Sequence, residues 1–355
     1  MILVIGPLPP PVNGASSMTL DVLRLLENEG LQVRAFTTSP SAHGGVAGYH
    51  LSRICRYLRA CWNVAISPKP LTVYLSLAGG WGQIYDLLVA IVARLRGLTI
   101  HFHHHNFTYS DWRFRLFAMI VAVAGERQVH HVLCERMGAL LAERYPRIRN
   151  VRVVSNEAFW PPPSPVELRD RPLRRIGFIA NITRNKGIFG FLDIVAALRA
   201  RGSNVEALIA GPVTECSIEP ELRRRAEELS DVRIQGPVYG ADRDRFFDEI
   251  DMLVFPTAYP NEAEPLVILE AQRRGIPVAA SNRGCIAAII DPADGMLLGR
   301  DGGEYGELVE TIIRLSQDVG QMQARRRSVM LAVEARATRN APAREAFLRS
   351  IREEV

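Results

Sequence analysis

The feature that most limits the fold is an alternation that runs the length of the chain. Short apolar runs are followed by longer amphipathic stretches, again and again. In the first half the runs are ILVIG (2–6), LQVRAF (31–36), LTVYLSL (71–77), LTIHFHHH (98–105), VHHVLC and VRVVSN (151–156). Helical patterns lie between them at about 17–28, 51–65, 83–96, 112–125 and 135–144. Strands that read as continuous apolar runs, each separated by a helix, predict a parallel sheet covered on both faces. The stretch AFWPPPSPVELRDRP (158–172) then interrupts the pattern with clustered prolines and charges, the character of a stiff interdomain connection. The alternation restarts with RRIGFIA (174–180), VEALIAG (205–211), VRIQG (232–236), MLVFP (252–256) and IPVAAS (276–281). Helical patterns intervene at 187–201, 219–229, 241–249 and 265–274, and helices close the chain at about 303–317 and 319–351.

The expectation is two doubly wound α/β domains, at 1–160 and 173–337, joined by a proline-rich linker at 161–172. A length of 355 residues suits two such domains better than one core. Ligands of doubly wound sheets bind beyond the carboxyl ends of the strands, so two such sheets facing each other would form a cleft.

Composition removes several function classes. No run of about 18–20 uncharged apolar residues predicts a membrane span, and MILVIG reads as a buried strand, not a leader. The five cysteines are scattered and form no CxxC, which reads as reduced thiols in the cytoplasm. The net charge of +5 fits phosphorylated ligands or an anionic membrane surface. No dense basic run with interleaved aromatics speaks for nucleic acid. The cations are nearly all arginine; Lys69 and Lys186 are the only lysines.

Four stretches could carry chemistry. In GPLPPPVNGASSMTL (6–20) a strand runs through a proline loop and Gly14 into a helix start. Free N–H groups there suit an anion, though an ordinary loop with a Ser N-cap reads as well. The stretch matches neither GxGxxG nor GxxxxGK[ST]. In IHFHHHNF (100–107), His101, His103 and His105 would share one strand face. Such a trio could ligate a metal, bind substrate, or simply line a cleft with its ring nitrogens solvated; no carboxylate or cysteine lies close by to complete a metal shell. His130 and His131 read as structural. In ANITRNKGIF (180–189), Arg184 and Lys186 stand between a strand end and a helix start, a place suited to a phosphate or diphosphate, or to a solvated loop charge.

The fourth stretch is FPTAYPNEAEPLVILEA (255–271), with Glu262, Glu264 and Glu270 around an apolar segment. Two acids suggest glycoside hydrolysis, which needs carboxyls ~5–9.5 Å apart. Eight helical residues would separate Glu262 and Glu270 by about 12 Å. That spacing suits two contacts on one elongated ligand, with Leu266, Val267 and Leu269 anchoring the helix and Pro265 in its first turn. Glu264 alone reads as an exposed loop charge.

In order along nearly the whole chain, these stretches resemble the GT-B fold and, within it, retaining glycosyltransferases of family 4. The most specific likeness is the E-x7-E element from Glu262 to Glu270, after a strand ending in FPT and before EAQRRGIPVAAS. IGFIANITRNKG resembles the family's strand, basic loop and KG turn, SNRGCIAAII its following glycine loop, and GPLPPPVNGAS its N-terminal glycine loop. The resemblance implies two Rossmann-like domains facing a cleft, with the last helix (about 338–355) crossing back onto the first. It implies a nucleotide diphosphate sugar, UDP- or GDP-linked, as donor and a hydroxyl of a glycan or lipid-linked acceptor, in bacterial surface polysaccharide or glycoconjugate synthesis. Carried over by position, Glu270 would hold the ribose, and Glu262 the donor sugar with the amides of Ala263, Glu264 and Leu266. Lys186 and Arg184 would clamp the diphosphate, Gly14 and Asn13 would approach it, and His103 would line the sugar and acceptor pocket. Asn181, Gly211 and Val238 fall at further donor-side positions. No metal cofactor is implied, because cations and amides neutralise the leaving diphosphate. A cytoplasmic location, peripheral at the inner face of the membrane, follows from such an acceptor. The chain departs from the family at Asn181, where arginine is usual, and at Pro265, which removes an amide donor. Those departures admit a non-catalytic nucleotide-sugar binding subunit. A GT-B epimerase is the other alternative, against which the E-x7-E spacing argues.

Overall fold

The computed structural model describes residues 1–39, 45–300 and 303–354. The chain divides into two units, Met1–Pro161 with Thr338–Val355, and Pro162–Ala337. The first contains β1 (Ile2–Gly6), α1 (Gly14–Asn28), β2 (Val33–Thr37), α2 (Gly45–Ile66), β3 (Thr72–Ser76) and α3 (Gln83–Leu95). It continues with β4 (Ile100–His103), α4 (Thr108–Asp111), α5 (Arg115–Ala124), β5 (Gln128–Val132), α6 (Glu135–Arg144) and β6 (Val151–Val153). The sheet runs β2-β1-β3-β4-β5-β6, every pair parallel. All residues of β1, β3, β4 and β5 are buried, as strands sandwiched between helices must be.

The second unit contains β7 (Arg175–Ile179), α7 (Ile188–Ala200), β8 (Glu206–Ala210), α8 (Glu219–Glu227), β9 (Val232–Gly236) and α9 (Ala241–Glu249). It continues with β10 (Met252–Phe255), α10 (Leu266–Gln272), β11 (Val278–Ser281), β12 (Met296–Leu298), α11 (Gly306–Gln317) and α12 (Val319–Arg352), whose last residues belong to the first unit. Its sheet is also parallel, in the order β12-β11-β10-β7-β8-β9.

Residues 161–170 lack regular structure, as proline clusters dictate, yet the segment is fastened to the second unit. The Asp251 carboxylate, fully buried, accepts from Arg326 at 2.8 Å and Arg171 at 3.0 Å, and from the backbone N–H groups of Arg174 and Arg175. Removing that carboxylate would leave the buried Arg326 guanidinium without its counter-charge, which makes its loss costly.

Several sequence expectations shift. The helix expected over 112–125 begins only at Arg115, because Trp112 and Phe114 are extended, and a separate short α4 precedes it. β12 has only three residues, too few to register as an apolar run. Cys55, Cys61 and Cys216 carry free thiols, whereas Cys134 and Cys285 do not, which corrects the reading of all five cysteines as reduced. Among the described residues no helix is long and apolar enough to cross a membrane.

Candidate active site

In a doubly wound sheet the ligand crevice lies at the carboxyl edge where the strand order reverses. In the second unit the chain builds outward from β7 to β8 and β9, then returns to the other side of β7 with β10. The reversal therefore falls between β7 and β10, and the loops leaving these two strands carry Lys186 and Glu262. The turn after β7 is a 3₁₀ helix over Arg184–Lys186, capped by Thr183, whose side chain accepts the Lys186 N–H. Gly187 ends it at φ +89°, and a Cβ there would stand 2.1 Å from the Pro256 carbonyl oxygen. Only glycine permits that approach, and the approach draws the loop after β7 against the loop after β10. The Ala258 N–H donates to the Asn185 carbonyl at 2.8 Å and completes the join.

The join brings Lys186 Nζ to 2.8 Å from Glu262 Oε2. The Glu262 side chain is 9% exposed and that of Lys186 is 21% exposed. The Thr257 hydroxyl donates to the same oxygen at 3.2 Å, and Lys186 Nζ lies 4.3 Å from the centroid of the Tyr259 ring. A carboxylate this buried needs a cation and a hydrogen bond, and here it has both. On its other side, the loop after β11 closes in at Gly284. Its φ is +55°, and a Cβ would meet the Glu262 carbonyl at 2.3 Å, while the Cys285 N–H donates to the Ala263 carbonyl at 2.8 Å. Glu262 is thus fixed by three loops at one sheet edge. An ion pair at a strand edge can exchange its partners for a ligand: the acid accepts from sugar hydroxyls and the ammonium donates to phosphate oxygens.

Glu270 sits on α10, where Arg243 of α9 donates to its Oε2 through Nε, at 3.1 Å, and through Nη2. The guanidinium also lies 5.8 Å from the Phe247 ring centroid. Pro265 occupies the N-cap of α10 and not its first turn, so the helix begins at Leu266, one residue after the expected start. The helix is anchored by Ile268, Leu269 and Ala271, all fully buried, whereas Leu266 and Val267 are half-exposed; this corrects two of the three expected anchors. Glu264 is 5% exposed, so it is not an exposed loop charge, and Ala263 is equally buried.

Arg184 does not join Lys186 against Glu262. It pairs with Glu221 of α8 at 2.7 Å and stacks on Phe189, with its side chain 55% exposed. An exposed pair of this kind contributes only about 0–1 kcal/mol, so a phosphate could displace it. Asn181 is exposed just past β7. Gly211, just past β8, donates its N–H to Gly236, and Val238 is buried after β9.

In the first unit the order reverses between β1 and β3, and Asn13 and Gly14 follow β1. Asn13, not a serine, is the N-cap of α1: its Oδ1 accepts from the Ser16 N–H at 3.0 Å, and its own N–H donates to Ser16 Oγ at 2.9 Å. Gly14 is exposed, with open space where a Cβ would stand.

His103 is fully buried, its Nδ1 2.5 Å from the Tyr74 hydroxyl. The histidines form a buried cluster, which corrects the picture of solvated rings along a cleft. His101 Nδ1 meets His131 Nε2 at 3.0 Å, His104 Nε2 meets His130 Nδ1 at 2.9 Å, and His130 Nε2 meets Gln128 Oε1 at 2.6 Å. His105 lies beyond the end of β4, so the trio does not share one strand face. Burial holds these imidazoles neutral, with His101 and His130 lowered to about 3 and His105 to about 4. Among the described residues no group of three or more His, Cys, Asp or Glu side chains could hold a metal ion.

Sequence reasoning missed Thr257, Tyr259 and Arg243. Thr257 belongs to the FPT run, and a hydroxyl directly after an apolar strand was a usable signal. Arg243 is one of many arginines, and its pairing with Glu270 depends on how α9 and α10 pack.

Two parallel six-stranded sheets with flanking helices match the structures of GT-B glycosyltransferases. Residues 173–318, which contain the Lys186–Glu262 and Arg243–Glu270 pairs, match the family model for Glycosyl transferases group 1. Anabaena Alr3699/HepE in complex with UDP superposes with a TM-score of 0.71 at 16% identity, over 99% of each chain. Sucrose-phosphate synthase from Thermosynechococcus elongatus superposes with a TM-score of 0.70 at 16% identity, over 100% of each chain. By sequence, the capsular polysaccharide biosynthesis glycosyltransferase CapM of Staphylococcus aureus is 27% identical over 149 residues, 40% of this chain. The match spans 37% of that protein's length.

Proposed function

We propose that the chain is a glycosyltransferase that moves a sugar from a nucleotide diphosphate donor, UDP- or GDP-linked, to a hydroxyl acceptor, with retention at the anomeric carbon. The observation that carries this reading is the Lys186–Glu262 pair at the strand-order reversal of the second unit. On binding, Glu262 turns from Lys186 to the donor sugar's hydroxyls, and Lys186 takes the diphosphate. The bond from the anomeric carbon to the diphosphate breaks, the acceptor oxygen bonds to that carbon, and the acceptor proton is released. Charge grows on the leaving diphosphate, and Lys186 is already in place to receive it, so no divalent metal is needed. Arg184, released from Glu221, supplies a second cation. Glu270 holds the ribose through the oxygen that Arg243 leaves unused.

Complexes of Alr3699/HepE with UDP and the likeness to CapM support a nucleotide-sugar donor and a role in surface polysaccharide synthesis. We assign the acceptor to a glycan or a lipid-linked saccharide and the reaction to the cytoplasm. The test is a turnover assay. Glu262→Ala should abolish transfer and leave nucleotide binding measurable. Nucleotide binding without turnover of any donor by the wild type would sink the reading and favour a non-catalytic binding subunit.

A further inference from the structure

We propose that Tyr74 is a positioning residue that sets which ring nitrogen of His103 carries the proton, and so makes His103 Nε2 a hydrogen-bond donor to a hydroxyl of the bound saccharide. The saccharide rests on the glycosyl-transfer reading; the proton placement does not. Two side-chain networks lie on opposite faces of the first sheet, because residues alternate along β4. On one face Gln128 sets the direction. Its Nε2 donates to the carbonyl oxygens of Val121 at 3.3 Å and Arg147 at 3.2 Å, so its Oε1 faces His130 and accepts from His130 Nε2 at 2.6 Å. His130 Nδ1 then accepts from His104 Nε2 at 2.9 Å, and His104 Nδ1 accepts from the Tyr109 hydroxyl at 3.1 Å. Every ring nitrogen of this network has a partner, so it is closed at both ends and serves the fold.

The other face is open at one end. Tyr74 stands opposite His101, and Ser76 opposite His103, in the pairing of β3 with β4. The Tyr74 hydroxyl lies 2.5 Å from His103 Nδ1 and has no other partner among the described residues. The imidazole is fully buried and neutral, its pKa lowered well below the usual range by burial, so the ring holds one proton. With that proton on Nε2, the phenol donates to Nδ1 and only the Nε2–H lacks a partner. With it on Nδ1, both the phenol proton and Nε2 lack one. Interiors avoid unpaired polar groups, so the first arrangement holds. Nε2 is buried without a partner in the protein. Nδ1 faces back toward Tyr74, so Nε2 faces the carboxyl ends of β3 and β4, the edge where such sheets bind ligands. Ser76 Oγ, at the same level of the pairing, is also buried without a partner. A sugar hydroxyl accepts from one group and donates to another, and it suits an uncharged ring donor better than a phosphate does.

The test combines a spectrum and a rate on the full chain. With the histidine ring nitrogens isotopically labelled, long-range proton–nitrogen correlation spectra read each tautomer, and His103→Gln identifies the His103 signals by their loss. In the wild type His103 should be protonated on Nε2 and bare on Nδ1. In Tyr74→Phe nothing holds Nδ1, so the two tautomers should mix. The same variant should lower kcat/KM for nucleotide release from the UDP- or GDP-sugar that the wild type uses by about tenfold, the loss of one orienting hydrogen bond. Tyr109→Phe removes a hydroxyl from the closed network, where Gln128 still fixes both rings, and should leave that rate unchanged. His103 protonated on Nδ1 in the wild type overturns the proposal. So does a Tyr74→Phe variant that keeps one tautomer and the full rate, or an equal loss in Tyr109→Phe, which would mark the effect as one of packing. A wild type that releases nucleotide from none of these sugars overturns the saccharide as the ligand, while the spectra still decide the proton placement.

Discussion

Lowering the pH from 7 to 5 should open the first unit and spare the second. All eight histidines lie in the first unit; five of them, His101, His103, His104, His130 and His131, are buried, and His105 is half-buried against His103. The sign follows from burial. An imidazole lowered in the folded state contributes stability that is present above its unfolded pKa of about 6.5 and is lost as pH falls from there toward the folded value. For His101, His130 and His105, with folded values of about 3, 3 and 4, that window runs from about pH 6.5 down to 3–4. At pH 5 each of the three has lost about 2 kcal/mol, or about 6 kcal/mol together. Asp86 acts in the opposite sense. Its folded pKa is pushed up to about 7 by burial, so it is protonated as the pH falls and regains about 2 kcal/mol. Asp21, raised by burial, acts in the same sense as Asp86. His103, His104 and His131, all lowered well below the usual range by burial, add to the loss. The net change is a loss on the order of 4 kcal/mol, a large part of the ~5–15 kcal/mol that holds a domain folded. Hydrogen exchange by mass spectrometry, corrected for the intrinsic pH dependence, resolves the units. Peptides from 98–134 should lose protection between pH 6.5 and 5, and peptides from 173–318 should keep it. Unchanged protection of 98–134 at pH 5 would refute the argument from buried neutral imidazoles.

Further outcomes follow from single contacts. Gly187→Ala forces a Cβ to 2.1 Å from the Pro256 carbonyl at a positive φ, and should cost about 1–3 kcal/mol in urea melts and weaken nucleotide binding. Asp251→Ala leaves Arg326 buried without its carboxylate and should cost about 3–5 kcal/mol, read by the same melts. Lys186→Ala strands the Glu262 carboxylate and removes the cation facing the leaving group, so turnover should fall at least 100-fold with a modest loss of melting temperature. Turnover should persist in EDTA if Lys186, and not a divalent ion, meets the diphosphate.

The alternation of apolar runs and amphipathic stretches made the fold class legible, because parallel strands covered on both faces leave a plain trace in sequence. Helices 135–144 and 241–249 and strand 232–236 fall at the boundaries that their patterns predict. β12 was illegible because three residues at a sheet edge carry no periodicity. The sequence pointed to Lys186 and Glu262 separately, through a lone lysine before a glycine and an acid after a strand end. Their contact depends on Gly187 and the Pro256 carbonyl, a backbone approach that no side-chain pattern announces. Glu264 looked exposed because charged loop residues usually are, and tertiary packing overrode that tendency. The histidines suggested a wet cleft edge because polar residues at strand ends usually face solvent. Pairing with Gln128, Tyr74 and one another let them be buried instead.

The central claim is a nucleotide diphosphate sugar held at the Lys186–Glu262 and Glu270 edge of the second unit. The direct test is a thermal-shift screen against UDP-, GDP- and ADP-sugars, on the wild type and on Glu270→Ala. The account predicts that one nucleotide class raises the wild-type melting temperature by several degrees, as a ligand at about 100 times its Kd contributes about 2.7 kcal/mol. It predicts that Glu270→Ala loses most of that shift. A wild type that no nucleotide diphosphate sugar stabilises, or a shift unchanged in Glu270→Ala, would contradict it.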